Sequence, residues 1–179
     1  MLNIKNPNIA IPIVLIAGIF WSFGPYVVRH IDGANTVPWQ YLFTRGLVIF
    51  ILLNTYLFLE EGFEFYKNYF KIGVSGLVGG IGLGIAMTTF IWSITNTSAA
   101  ITLLCLAAMP FITALLGFLF LKENISISVW ISIFLSAAGI IIMAVGNSSP
   151  GSFFGFLFGM LSSLGFAIFS VSLRWRKET

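Results

Sequence analysis

The stretch Asn96-Thr97-Ser98-Ala99-Ala100, running through Met109-Pro110-Phe111 to Phe120-Leu121-Lys122-Glu123-Asn124-Ile125-Ser126, decides the fold. Asn-Thr-Ser is N-cap chemistry, because side-chain oxygens accept from the free amides of a helix's first turn. The run from Ala99 to Leu121 carries no charge and is long enough to cross a bilayer. Pro110 sits near its middle and removes the amide that would bond the Leu106 carbonyl. In lipid that carbonyl needs another partner or a protein-lined cavity. The sequence therefore predicts a kinked membrane helix. Kinks are used both for packing alone and for lining a substrate path.

Composition sets the same class. The chain of 179 residues is 58% hydrophobic and only 8% charged, with a mean hydropathy of +1.00. Soluble domains carry roughly 25% charged residues, so this is an all-α, polytopic membrane helix bundle in contact with the lipid bilayer. The net charge of +3 does not point to nucleic acid, because the basic residues stand singly at segment ends. The single cysteine, Cys105, lies in an apolar segment and offers no disulfide or metal framework. Nothing calls for a cofactor.

Six spans follow in chain order: residues 9–28, 39–59, 70–94, 98–121, 129–145 and 153–173. The first is too long for a signal-peptide core and lacks a small-x-small cleavage site after it, so it reads as a retained helix. A loop over 60–71 mixes Glu60, Glu61, Glu64, Lys67 and Lys71 with Phe63, Phe65, Tyr66, Tyr69 and Phe70, a composition suited to the water–lipid interface. A tight Ser-Pro-Gly turn falls within 147–152. With the N-terminus inside, the inner segments hold Lys5, Lys67, Lys71, Lys122, Arg174, Arg176 and Lys177, and the outer loops only Arg29. That bias predicts both termini on the cytoplasmic side.

Small residues predict close helix packing. Ser75, Gly79, Gly82, Ala86, Thr89, Ser93 and Asn96 line one face of the third span, and Gly76, Gly80 and Gly84 add small-xxx-small pairs. Ser132, Ser136, Gly139, Met143 and Gly146 repeat the pattern in the fifth span, and Gly155 and Gly159 in the sixth. The glycine cluster 79–84 is no nucleotide loop, since it lies inside an apolar helix with no strand before it. The stripe Gly18, Ser22, Pro25, Arg29, with Trp21 beside it, predicts a bend in the first span.

Arg45 is a charge well inside the second span, roughly 9 Å from its outer end at about 1.5 Å per residue. Such residues face a cavity or partner, but at this depth an arginine also reaches the interface by snorkelling. Both readings stay open. No Asp or Glu falls inside any predicted span, and His30, the single histidine, falls in an outer loop. A membrane enzyme would need a nucleophile with a base, and no such pairing is visible.

Gly18-Ile19-Phe20-Trp21-Ser22-Phe23-Gly24 in the first span aligns with Gly159-Met160-Leu161-Ser162-Ser163-Leu164-Gly165 in the sixth, each followed by an arginine, Arg29 and Arg174. Five spans separate them, so the second copy enters the membrane from the opposite side, as in inverted-repeat carriers.

These features resemble the EamA-type branch of the drug/metabolite transporter superfamily. The resemblance rests on Asn96 to Ala100, Met109-Pro110-Phe111, Leu121-Lys122-Glu123, Ile125 to Trp130 and Gly139, supported by Trp21 to Gly24, Arg29, and Gly165 to Ala167 with Arg174. It implies a ten-helix carrier of two inverted five-helix repeats that moves small metabolites by alternating access. On that plan residues 1–146 form one repeat and 147–179 a turn and the first helix of a second, as in a truncated carrier. The implied partners are a small-molecule solute and the remaining repeat of the same protein, or a homo-oligomer. The expected function is transport of a small organic metabolite, such as an amino acid, across a bacterial inner membrane. The rival is a structural or assembly subunit whose helices only pack, or an inactive carrier fragment. By position the substrate pathway takes Trp21, Ser22, Arg45, Thr89, Trp92, Ser93, Met109 and Pro110. The tryptophans supply amphipathic walls, Arg45 a charge for an anionic group, and the hydroxyls orienting hydrogen bonds.

Overall fold

A computed structural model describes residues 7–30, 38–69, 73–146 and 150–178. Within them the chain is mostly helical and contains no strand. The first predicted span is split into α1 (Pro7–Ser22) and α2 (Gly24–Arg29). The second is α3 (Pro38–Glu61), followed by a short α4 (Glu64–Tyr69). The third is α5 (Gly73–Asn96), and the fourth is split into α6 (Ala99–Ala107) and α7 (Met109–Leu121). The fifth and sixth are α8 (Ile127–Gly146) and α9 (Pro150–Glu178). Among the described residues, five stretches are long and apolar enough to cross a membrane, namely Ile11–Val28, Trp39–Glu61, Gly73–Asn96, Ala99–Leu121 and Phe153–Trp175. A shorter apolar stretch, Ile127–Gly139, belongs to α8.

Two breaks share one construction. The chain leaves helical hydrogen bonding at Phe23 and at Ala108, each two residues before a proline, Pro25 or Pro110. At each break an amide reaches back only three residues, Phe23 to Phe20 at 3.2 Å and Ala108 to Cys105 at 3.1 Å. Helical bonding then resumes, from Val27 to Phe23 at 3.0 Å and from Ile112 to Ala108 at 3.1 Å. Each proline thus lies in the first turn of a new helix, where its missing amide would be unbonded anyway. The carbonyl problem foreseen at Leu106 is shared with Cys105, since the Ala108 amide serves both. The Cys105 carbonyl gains a second donor, the Ser163 hydroxyl of α9 at 2.5 Å.

The helix N-terminus expected at Asn-Thr-Ser forms at Ser98, whose hydroxyl accepts from the Ile101 amide at 3.2 Å. At the other end Lys122 turns left-handed, with φ of 55°, and the Glu123 amide bonds the Gly117 carbonyl at 3.3 Å. The Lys122 amide reaches the same carbonyl, and the two bonds close α7 at its left-handed residue.

The core is built on α9, which packs against α5, α6 and α7. Gly79, Gly82, Ala86, Thr89 and Ser93 of α5 are buried, as the stripe predicts. At the tightest point α5 and α9 touch backbone to backbone. A Cβ on Gly165 would stand 2.6 Å from the Gly82 carbonyl oxygen and 2.8 Å from the Ala86 nitrogen. Only glycine fits there. Hydroxyls stitch the same interface: Ser162 donates to the Ala86 carbonyl at 2.8 Å, and Ser93 donates to the Gly155 carbonyl at 2.7 Å. Ser93 also bonds Thr102 of α6 at 2.9 Å. In a membrane, where apolar contact with lipid and with protein are nearly equivalent, such close approach and hydrogen bonding drive association.

Three expectations are corrected. Residues 60–71 are no plain loop: α3 runs through Glu61, Gly62 turns at φ of 61°, and α4 follows. Glu64 suits the first turn of α4 and pairs with Lys67 at 3.1 Å, which favours a helical turn. The small-xxx-small pairs of α5 do not pack within this chain at Gly80 and Gly84, which face open space. The α8 stripe is likewise open at Gly139, and Ser132 is exposed and bonds only back to the Ser128 carbonyl at 2.9 Å. Lys5, Lys71 and the start of the Ser-Pro-Gly turn lie outside the described residues.

Candidate functional site

The eight residues expected on the pathway do not gather at one place. Trp21 and Arg45 come together, with the Arg45 guanidinium carbon 5.5 Å from the Trp21 ring centre. That is cation–π distance. Arg45 is half-buried, and Trp21 meets Phe166 of α9 edge-on at 6.3 Å between ring centres. Trp92 of α5 belongs to a second aromatic group nearby in sequence register, with Trp39 at 5.9 Å and Phe158 at 6.0 Å. Ser22 is exposed and donates to the Gly18 carbonyl at 2.9 Å, a back-bond within α1 next to its break.

Thr89 and Ser93 lie inside the α5–α9 packing. The Thr89 hydroxyl bonds the Ile85 carbonyl at 2.7 Å, and Ser93 is fully buried with the two partners described above. Both hydroxyls are engaged within the bundle.

Met109 and Pro110, at the start of α7, line a cavity of about 450 Å³. Its other walls come from Thr113, Ala114, residues 123–126, Val129, Ser170 and Arg174, so α7, α8 and α9 all contribute. The volume falls in the range of small-molecule pockets, roughly 300–1,000 Å³. At its charged end Arg174 donates to Glu123 at 2.8 Å and to the Thr113 carbonyl at 3.3 Å. Gly117 makes room for this pair: a Cβ there would meet both the Glu123 carboxylate and the Arg174 guanidinium.

Sequence reasoning missed this pair and the hydroxyls of Thr113, Ser126 and Ser170. One signal was available. Topological parity puts the end of the fourth span, with Glu123, and the end of the sixth, with Arg174, on the same membrane side.

The helices, their exposed apolar faces and the cavity between them define an integral membrane protein in contact with lipid. The chain belongs to the EamA-like transporter family, whose profile matches residues 8–145. It is thereby a membrane transporter of the drug/metabolite type, and α9 lies beyond the matched residues. Neither a curated protein nor a solved structure matches.

Proposed function

We propose that this chain carries a small organic metabolite, such as an amino acid, across a bacterial inner membrane by alternating access, with its charged end in the cytoplasm. The supporting observation is Arg45. It is a charge within an apolar span, half-buried, with its guanidinium over the Trp21 ring. Charges kept inside spans mark ion or substrate pathways. A pathway from Trp21 and Arg45 at one end, past Trp92, to Met109 and Pro110 at the other uses both breaks, because each places a half-helix terminus along the route. Thr89 and Ser93 lie on the wall behind it, and Ser22 at the first break. Residues 1–146 act as one five-helix repeat on this reading, with α9 as the first helix of the next.

The test is solute flux in vesicles reconstituted with the full-length protein. Wild-type vesicles accumulate or release a metabolite, and Arg45→Ala lowers that flux at least ten-fold at equal insertion. Unchanged flux in Arg45→Ala removes Arg45 from the pathway. Absence of flux for every metabolite tried favours the rival of a packing subunit, which the engagement of Thr89 and Ser93 within the bundle also suits.

A further inference from the structure

We propose that Glu123 and Arg174 are the two halves of a recognition site for a small zwitterion, a molecule bearing both a carboxylate and an ammonium group, at the rim of the α7–α8–α9 cavity. The proposal deepens the carrier reading and rests on it for its biological meaning, while the binding itself is testable without flux.

Charge balance favours a zwitterion at this pair. Glu123 and Arg174 satisfy each other at 2.8 Å on the wall of a cavity large enough for a metabolite. A simple anion drawn to Arg174 would leave Glu123 without its partner, and a simple cation on Glu123 would strand Arg174. Either exchange leaves one charge of the pair unmatched on the cavity wall. A zwitterion replaces both halves at once. Specificity then arises against single-charge molecules of the same shape.

The pair is also exchangeable. The two side chains are 40% and 31% exposed, so the pair is reached from water and its own contribution to stability is small. Arg174 also keeps a fixed position when Glu123 lets go, since its second nitrogen holds the Thr113 carbonyl. A guanidinium has five N–H donors, leaving several for a ligand carboxylate.

The third observation is independent of the charges. Thr113, which lines the cavity, has a buried hydroxyl with no hydrogen-bond partner among the described residues. Such orphaned groups are uncommon and call for a missing partner. Ser126, Ser170 and Asn124 add further polar groups, while Met109, Pro110 and Val129 give an apolar wall for a side chain.

The experiment is thermal unfolding of the purified full-length protein in detergent with three probe sets. These are a mixture of proteinogenic amino acids, the corresponding amino-acid amides, and the corresponding deaminated carboxylic acids. Ligands that bind the folded state raise Tm by mass action. The amino acids are expected to raise Tm by several degrees at millimolar concentration and the two single-charge sets to leave it unmoved. Glu123→Gln and Arg174→Gln are expected to abolish the shift. Should those variants fail to fold, Ser170→Trp fills the cavity with the ion pair intact and is expected to abolish it as well. Equal shifts with single-charge probes, a shift retained in a folded Gln variant or in Ser170→Trp, or no shift with any amino acid would overturn the proposal. Protection by amino acids without flux would keep the site and remove the carrier reading. Amino-acid flux unchanged in both Gln variants would keep the carrier and remove the site.

Discussion

Ser163 shows how much a single hydroxyl does in this bundle. It donates to the Cys105 carbonyl beside the α6–α7 break at 2.5 Å and to its own Gly159 carbonyl at 3.1 Å. Ser163→Ala removes the first bond and leaves the Cys105 carbonyl only the short-range Ala108 amide. We expect a loss of about 1 kcal/mol, typical of interhelical hydrogen bonds in membranes, read as a lower midpoint in detergent unfolding. No change would mean that the Ala108 amide suffices. Arg45 offers a second test at this scale. Arg45→Lys keeps the charge but loses the planar face that stacks on Trp21, so flux should fall, though less than in Arg45→Ala. At residue scale the sequence was readable where local chemistry decides. Ser98 caps α6 as expected, because a cap is satisfied within three residues. The roles of Glu123 and Ser163 were hidden, since their partners lie 51 and 58 positions away.

At the scale of elements, the α5–α9 contact is the strongest feature. Gly82 and Gly165 meet at backbone distance, so Gly82→Leu or Gly165→Leu must push the helices apart and cost upward of roughly 2 kcal/mol. Gly84→Ala meets open space and should stay within roughly 0.5 kcal/mol of wild type. Both are read from unfolding midpoints, and equal effects at Gly82 and Gly84 would contradict the packing. Periodicity announced the Gly79–Gly82–Ala86 face but could not choose it over Gly80 and Gly84. Both are small-residue rows on one helix, and only the position of α9 separates a packed row from an open one. The breaks were legible for the same reason the cap was. A proline acts on its own turn, and Pro25 and Pro110 each end a helix two residues upstream. Pro110→Ala restores an amide for the Leu106 carbonyl and should straighten α6 into α7. We expect it to reduce flux more than stability, because the break brings Met109 to the cavity.

The whole molecule joins a lipid-facing shell to a cavity lined partly by polar groups. Phe43, Phe50, Leu59, Phe134 and Leu135 stand exposed on α3 and α8, as side chains facing lipid do, while the α7–α8–α9 cavity carries hydroxyls and an ion pair. Composition disclosed the shell, because lipid contact needs only apolarity. The cavity was not disclosed, because it depends on how three helices separate at their charged ends. The most direct measurement is labelling of Met109→Cys, in a Cys105→Ala background, by a membrane-impermeant thiol reagent in oriented vesicles. The account predicts labelling from the Arg174 side, with Ser162→Cys, inside the α5–α9 contact, remaining unlabelled. If Met109→Cys is as inert as Ser162→Cys while the rim position Ser126→Cys reacts, the cavity is dry at its inner end and the carrier pathway drawn through it is wrong.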